Sequence, residues 1–311
     1  MRYSVNITMK CFAMSVLVLC VSVLASPATA QQANDAMTDM LKVYEAREYQ
    51  GVSYRLMKPI DLSENPDKKY PLILSLHGAG GRGNDNRKNL RNWNGIMAEE
   101  KRRRTHPAFV VVPQSQIPWI VAGATPEITD EMIVDSPPIF HERLKIWQKR
   151  KDMYKQGKLQ VVFALLDELA EEFNIDTDRV YVLGHSMGGA GTWTAISEQP
   201  KRFAAALPTA GALSNFVDVR TIAKVPIWSF HGDIDPTVSV EFTRYAFEQL
   251  KTVKGNMKYT ELKGVKHNAN YYAYEWTGDD PDKGFVTQYA SDRCDKKADV
   301  WDWLFAQKRK Q

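Results

Sequence analysis

Ser186 is the residue whose neighbours most clearly suit chemistry. It lies in Val180-Tyr181-Val182-Leu183-Gly184-His185-Ser186-Met187-Gly188-Gly189, an apolar run that ends on G-x-S-x-G. Gly189-Ala190-Gly191 then opens a stretch of helical composition. A strand that turns sharply into a helix strains the serine backbone and lifts its hydroxyl clear of the sheet; the flanking glycines leave room where side chains would collide. The spacing therefore predicts Ser186 as a nucleophile rather than a turn residue.

A serine hydroxyl needs a base to take its proton during attack on a carbonyl. For a serine on such a turn the acid and the histidine follow it in the chain, which leaves His231 and His267 of the six histidines. His231 lies in Phe230-His231-Gly232-Asp233-Ile234-Asp235-Pro236, ahead of any later acid, and is read as shaping that turn. His267, in Gly264-Val265-Lys266-His267-Asn268, follows a candidate strand and is the expected base. Asp233 and Asp235 compete for the role of orienting it. Asp235 is favoured, because it lies further into the loop with Pro236 stiffening the chain behind it, and Asp233 is then a turn residue.

Attack creates an oxyanion that needs fixed donors. His77-Gly78-Ala79-Gly80-Gly81, following the apolar run 72–76, has the small residues that permit close backbone approach. No G-K-[ST] follows, which disfavours a phosphate loop. The backbone N–H groups of Ala79 and Met187 are the expected donors. Trp93, Trp119, Tyr271, Tyr272 and Trp276 are candidates to line a substrate cleft, with a core role as the alternative for each. Asp279, Asp280 and Asp282 lack the ligand spacing of a calcium loop and are read as a solvated loop. This chemistry calls for no metal or organic cofactor.

The elements needed to position these residues are visible as a rhythm. Short apolar runs at 72–76, 109–112, 180–183, 204–207, 227–230 and 258–262 read as strands buried on both faces, and amphipathic stretches separate them. Val161, Val162, Leu165, Leu166, Leu169 and Phe173 recur at helical spacing, with Asp167, Glu168, Glu171 and Glu172 on the other side. Residues 54–58, with earlier ones, suit an antiparallel hairpin, and Trp301, Trp303, Leu304 and Phe305 a closing helix. The expected fold class is α/β: a mostly parallel, doubly wound sheet with helices on both faces. Residues 114–158 contain Pro118, Pro126, Pro137 and Pro138 and interrupt the rhythm. They are expected to pass over the active-site face, a decorative insertion being the alternative.

Composition sets the remaining bounds. A hydrophobic share of 44% and a charged share of 25% suit a compact soluble domain. Arg2 and Lys10, the apolar run 11–24 and Ala28 and Ala30 have the form of a secretory signal cut before Gln31. Leu19 before Cys20 disfavours lipid attachment, which takes a small residue there. The expected layout is a signal at 1–30, one catalytic domain at 31–311, and periplasmic or extracellular location with no stable membrane insertion after cleavage. Loss of Arg2 and Lys10 takes the formal charge from +4 to +2, and the run Lys101-Arg102-Arg103-Arg104 lacks interleaved aromatics, so nucleic acid is not an expected partner. Of Cys11, Cys20 and Cys294 only the last survives cleavage, which leaves no internal disulfide.

Taken together, these motifs resemble a group of secreted bacterial α/β-hydrolases described as predicted peptidases and as phospholipase/carboxylesterase, dienelactone-hydrolase-like and feruloyl-esterase-like proteins. The resemblance runs from about Tyr70 to Lys308. It is carried by Tyr70-Pro71-Leu72-Ile73-Leu74-Ser75-Leu76-His77-Gly78-Ala79-Gly80-Gly81, Val112-Pro113-Gln114, Asn174-Ile175-Asp176, the serine turn with Gly191-Thr192-Trp193, and His231-Gly232-Asp233-Ile234-Asp235-Pro236. It implies the α/β-hydrolase fold and a triad of Ser186, Asp235 and His267. It also implies hydrolysis of a small-molecule or polysaccharide-linked ester through an acyl-enzyme. Peptide hydrolysis on the same triad and silent ligand binding are the alternatives. The sequence departs from the group after His267, where Asn268-Ala269-Asn270-Tyr271-Tyr272 stands in place of a tryptophan, and in the length of 114–158.

Overall fold

The computed structural model describes residues 27–124 and 126–309; residues 1–26, most of the expected signal, lie outside the described residues. Among them nine strands form one sheet: β1 (Glu45–Tyr49), β2 (Val52–Met57), β3 (Tyr70–Leu76), β4 (Phe109–Pro113), β5 (Ile175–His185), β6 (Ala205–Thr209), β7 (Ile227–Gly232), β8 (Met257–Leu262) and β9 (Phe285–Tyr289). The first five helices are α1 (Pro27–Val43), α2 (Asn92–Ala98), α3 (Glu100–Thr105), α4 (Asp130–Asp135) and α5 (His141–Lys149). They are followed by α6 (Lys151–Tyr154), α7 (Leu159–Glu172), α8 (Met187–Glu198), α9 (Val219–Ile222), α10 (Glu241–Thr252), α11 (Asn270–Ala273) and α12 (Val300–Ala306). No helix of the described residues is long and apolar enough to cross a membrane.

The strand order is β1-β2-β4-β3-β5-β6-β7-β8-β9, parallel from β4 to β8 and antiparallel at both edges. The chain winds outward from β3 to β4 and then returns to place β5 on the other side of β3. That reversal opens a crevice at the carboxyl ends of β3 and β5, where open α/β sheets bind their ligands. The β1–β2 hairpin turns through Gln50 and Gly51, both at positive φ, as a two-residue turn between right-twisted strands requires.

Side-chain alternation along the central strands feeds two cores. Leu72, Leu74, Val111 and Val182 join α7, α8 and α10 on one face, while Ile73, Val110, Tyr181 and Leu183 join α1, α2 and α12 on the other. In α7 the buried stripe is Leu159, Val162, Phe163, Leu165, Leu166 and Leu169, and Asp167, Glu168, Glu171 and Glu172 are exposed. Segment 114–158 carries α4, α5 and α6 and builds a third, smaller cluster in which Ile133, Phe140 and Leu144 pack with Phe242.

The loop after β3 is fixed by a buried histidine. His77 Nδ1–H donates to Gly78 O (2.7 Å), and Nε2 accepts the Ser115 N–H (3.0 Å). Trp119 Nε1–H donates to the His77 carbonyl (2.9 Å), and Gln114 Nε2–H to that of Gly81 (3.0 Å). Both imidazole nitrogens are satisfied in the neutral form, and burial pushes the His77 pKa down to about 4. The unfolded chain therefore holds more protons than the fold between pH 4 and 6.5, so the stability is complete above that window and lost as pH falls through it. The shift is worth roughly 3 kcal/mol. In urea denaturation the unfolding free energy should fall between pH 7 and pH 4, and His77→Asn should flatten that slope by about this amount. An unchanged slope would exclude the neutral buried imidazole.

Candidate active site

Ser186 stands between the end of β5 and the start of α8 with φ 61° and ψ −117°, a left-handed region that costs a non-glycine residue about 1–3 kcal/mol. Its N–H donates to Thr209 O at the end of β6 (2.9 Å), which ties the strained residue to the neighbouring strand. A Cβ on Gly188 would lie 2.0 Å from Leu76 O, so the first turn of α8 approaches the end of β3 as closely as backbone allows. G-x-S-x-G thus carries the strain the sequence predicts.

The hydroxyl of Ser186 donates to His267 Nε2 (2.8 Å), and His267 Nδ1–H donates to Asp235 Oδ2 (2.7 Å). His267 follows β8 and keeps a quarter of its side chain exposed, while the Asp235 side chain, following β7, is wholly buried. Burial pushes the Asp235 pKa up. Hydrogen bonds from His231, Val238 N–H, His267 and Thr237 N–H outweigh that effect and hold the carboxyl well below the usual carboxylate range. It therefore stays ionised beside the imidazole, and Ser186 has a proton acceptor whose own charge is matched in advance. Asp233 lies away from this chain and accepts the Gly264 N–H (2.6 Å).

Two histidines act behind the chain: His231, read from sequence as shaping its turn, also reaches Asp235, and the role of His185 was not assigned from sequence. His231 Nε2–H is shared between Val238 O (2.9 Å) and Asp235 Oδ2 (3.3 Å), and Nδ1 accepts from Thr243 Oγ1 (2.7 Å). His185 Nε2–H donates to the His267 carbonyl (2.6 Å), and burial pushes its pKa down to about 4, so it acts as a neutral strut. The only advance sign of the role of His185 was a histidine placed beside a glycine at a strand end.

The expected oxyanion donors lie on the same side of the sheet. Met187 opens α8 and Ala79 opens a 3₁₀ turn (Ala79–Gly81), so each N–H is among the first-turn amides that have no intrahelical acceptor. A Cβ on Gly78 would lie 3.5 Å from Ser186 Cβ, which brings the Ala79 loop against the serine. Arg82 Nε–H reaches Met187 Sδ (3.2 Å) across this edge.

A cleft of about 590 Å³ opens beside Ser186. Trp119, Ile139, Ile146 and Trp147 belong to one wall, and the start of α8 with residues 212–217 forms the other. Trp119 fits because Gly191 of α8 has no side chain: a Cβ there would lie 2.4 Å from Trp119 Cβ. The other expected cleft aromatics need correction. Trp93 and Trp276 are buried in the core against Tyr274 and Phe230, and Trp93 Nε1–H donates to Ser75 Oγ (2.9 Å). Tyr271 and Tyr272 are exposed outside the cleft, because α11 buries Asn270 and Ala273 and so turns the tyrosines outward. Asp279, in the loop read as solvated, accepts from Thr287 N–H (3.0 Å) and Oγ1–H (2.6 Å) and so anchors β9. Among the described residues no group of three His, Cys, Asp or Glu side chains is arranged to hold a metal.

Comparison with known proteins agrees with this geometry. The prolyl oligopeptidase family (Peptidase_S9) matches residues 145–222, which include Ser186 and α8. A bifunctional acetylxylan esterase/xylanase of Neocallimastix patriciarum is 37% identical over 82 residues, 26% of this chain and 12% of that protein. A protein of Arthroderma benhamiae described as an uncharacterized secreted protein is 26% identical over 263 residues, 70% of this chain and 23% of the relative. A solved thermostable esterase is 30% identical, with a TM-score of 0.63 over 87% of this chain and 64% of its own. The chain thus spans less than two thirds of each of these three relatives. Serine turn, crevice and sheet order agree with the likeness: the chain has the α/β-hydrolase fold and is similar to an esterase that shares it.

Proposed function

We propose that the protein is a serine carboxylic ester hydrolase, and the observation that carries this reading is the continuous hydrogen-bonded path from Ser186 Oγ through His267 to Asp235. Ser186 Oγ bonds to the ester carbonyl carbon as its proton passes to His267 Nε2. The N–H groups of Ala79 and Met187 stabilise the resulting oxyanion. The carbon–oxygen bond to the alcohol then breaks, and His267 returns the proton to the departing alcohol oxygen. Water repeats the sequence in reverse order of leaving group: His267 takes its proton, the acid is released and Ser186 regains its hydrogen. Asp235 stays ionised and stabilises the imidazolium in both halves.

The name of the Neocallimastix relative pairs acetylxylan with esterase activity, which supports small acyl esters, free or on a polysaccharide, as the substrate class. Peptide hydrolysis on the same triad has one observation in its favour, the match of residues 145–222 to the prolyl oligopeptidase family. The reading also takes 31–311 as one catalytic domain with 114–158 as its cover, and 1–30 as an export signal. The secreted description of the Arthroderma relative supports export.

A panel of acetyl, butyryl, octanoyl and feruloyl chromogenic esters beside a peptide anilide tests the class. Ester turnover should exceed anilide turnover, Asp235→Asn should lower kcat by about 10,000-fold and Ser186→Ala by about a million-fold. Preference for the anilide would favour the peptidase, and turnover surviving in Ser186→Ala would sink the mechanism. For export, the intact mass of protein recovered outside the cytoplasm should correspond to a chain beginning at Gln31. A mass that retains Met1 would contradict it.

A further inference from the structure

The cleft beside Ser186 contains a cation without a counter-charge. Arg143 of α5 lies in its wall, with the guanidinium 5.2 Å from the ring centre of Trp147 and 5.7 Å from that of Phe242. Its Nε is shut off from solvent and has no hydrogen-bond partner, and no carboxylate among the described residues forms an ion pair with it. Burial pulls its pKa down, although a guanidinium remains charged at any ordinary pH. The acids that share the cleft do not serve it: Glu142 pairs with Lys145 (2.8 Å), and Glu198 makes no ion pair.

The two rings account for part of this placement. Aromatic faces attract a cation through their quadrupoles, but they supply no hydrogen-bond acceptor to its N–H groups. The N–H bonds point outward in the guanidinium plane and match a carboxylate, two parallel donors to two oxygens. A half-buried charge left without an acceptor costs stability, and proteins normally pair it. Arg82 and Arg150 line the same cleft, so its wall carries three arginines against two acids, one of which is already neutralised. The rim is apolar, with Ile139, Ile146 and Phe216 exposed.

We propose that the cleft takes esters whose acyl or alcohol portion carries a free carboxylate, and that Arg143 is the residue that binds it. The proposal rests on the esterase reading of the same cleft and adds a substrate class to it. The carboxylate would supply the in-plane acceptors the guanidinium lacks, between rings that exclude water and strengthen the contact. The rest of the substrate would extend along the apolar wall toward Ser186.

Two matched pairs of esters test it. For the acyl side, p-nitrophenyl hemiglutarate is compared with p-nitrophenyl pentanoate; for the alcohol side, para-acetoxybenzoate with para-acetoxybenzamide. In the wild type kcat/KM should favour the carboxylate member of at least one pair by about 10- to 100-fold. Arg143→Met should cut that ratio at least ten-fold, and Arg143→Lys, which also serves if the first variant does not fold, should give an intermediate ratio. No preference in either pair, or a preference that survives in Arg143→Met, would overturn the proposal. If no ester is turned over, the esterase reading fails and the carboxylate site is judged by calorimetry with glutarate and para-hydroxybenzoate. Binding that disappears in Arg143→Met would support the site, and absence of binding by the wild type would overturn it.

Discussion

The site depends on the strained backbone at Ser186. A positive φ at a serine persists only where the surroundings leave no alternative, and here three strand ends enforce it. β5 delivers the residue, β6 accepts its N–H through Thr209 O, and the end of β3 presses against Gly188 through Leu76 O. Parallel strands that end at one edge can exert all three constraints together, because their carboxyl ends lie side by side. The hydroxyl is thereby aimed at His267, and the first amide of α8 comes to lie beside it. A larger residue at position 188 would move the helix, and with it both the serine and Met187 N–H.

Two buried histidines and a half-buried one extend that constraint to the surrounding loops. His77 holds the loop after β3, His231 the loop after β7, and His185 the backbone of His267 after β8. An imidazole suits this position because one nitrogen donates and the other accepts, so a single side chain can bridge two strands of backbone. His77 and His185 are held neutral by burial and so add no positive charge around His267. His267 alone of these four combines a bond to Ser186 with solvent access. The division of labour follows from environment, since the four side chains are chemically identical.

Much of this was legible in the sequence, for a physical reason. Strands buried on both faces read as unbroken apolar runs, and the six core strands lie where those runs lie. Their ends differ: β5 begins at Ile175 rather than near Val180, because Ile175 still pairs with Tyr70 of β3 across an irregularity that the Asp176–Arg179 pair spans. β9 was not anticipated. Its burial alternates, and Thr287 and Gln288 dilute its apolar signal, as expected for an edge strand with one wet face. Side-chain type says little about whether an aromatic ring faces a core or a cleft, so cleft and core stayed open for Trp93 and Trp276, and both are in the core. The position of Arg143 was equally hidden. An arginine in an amphipathic helix normally reads as solvated surface, and only the tertiary arrangement shows that its neighbours are Trp147 and Phe242.

We infer that Ser186 is an activated nucleophile held by His267. Mass spectrometry after reaction with a fluorophosphonate tests it most directly, because the reagent bonds to such a serine whatever the natural substrate. A single adduct on the peptide that contains Ser186, absent from Ser186→Ala and formed far more slowly in His267→Ala, is the predicted result. No adduct, an adduct on another residue, or one whose rate is indifferent to His267 would contradict it.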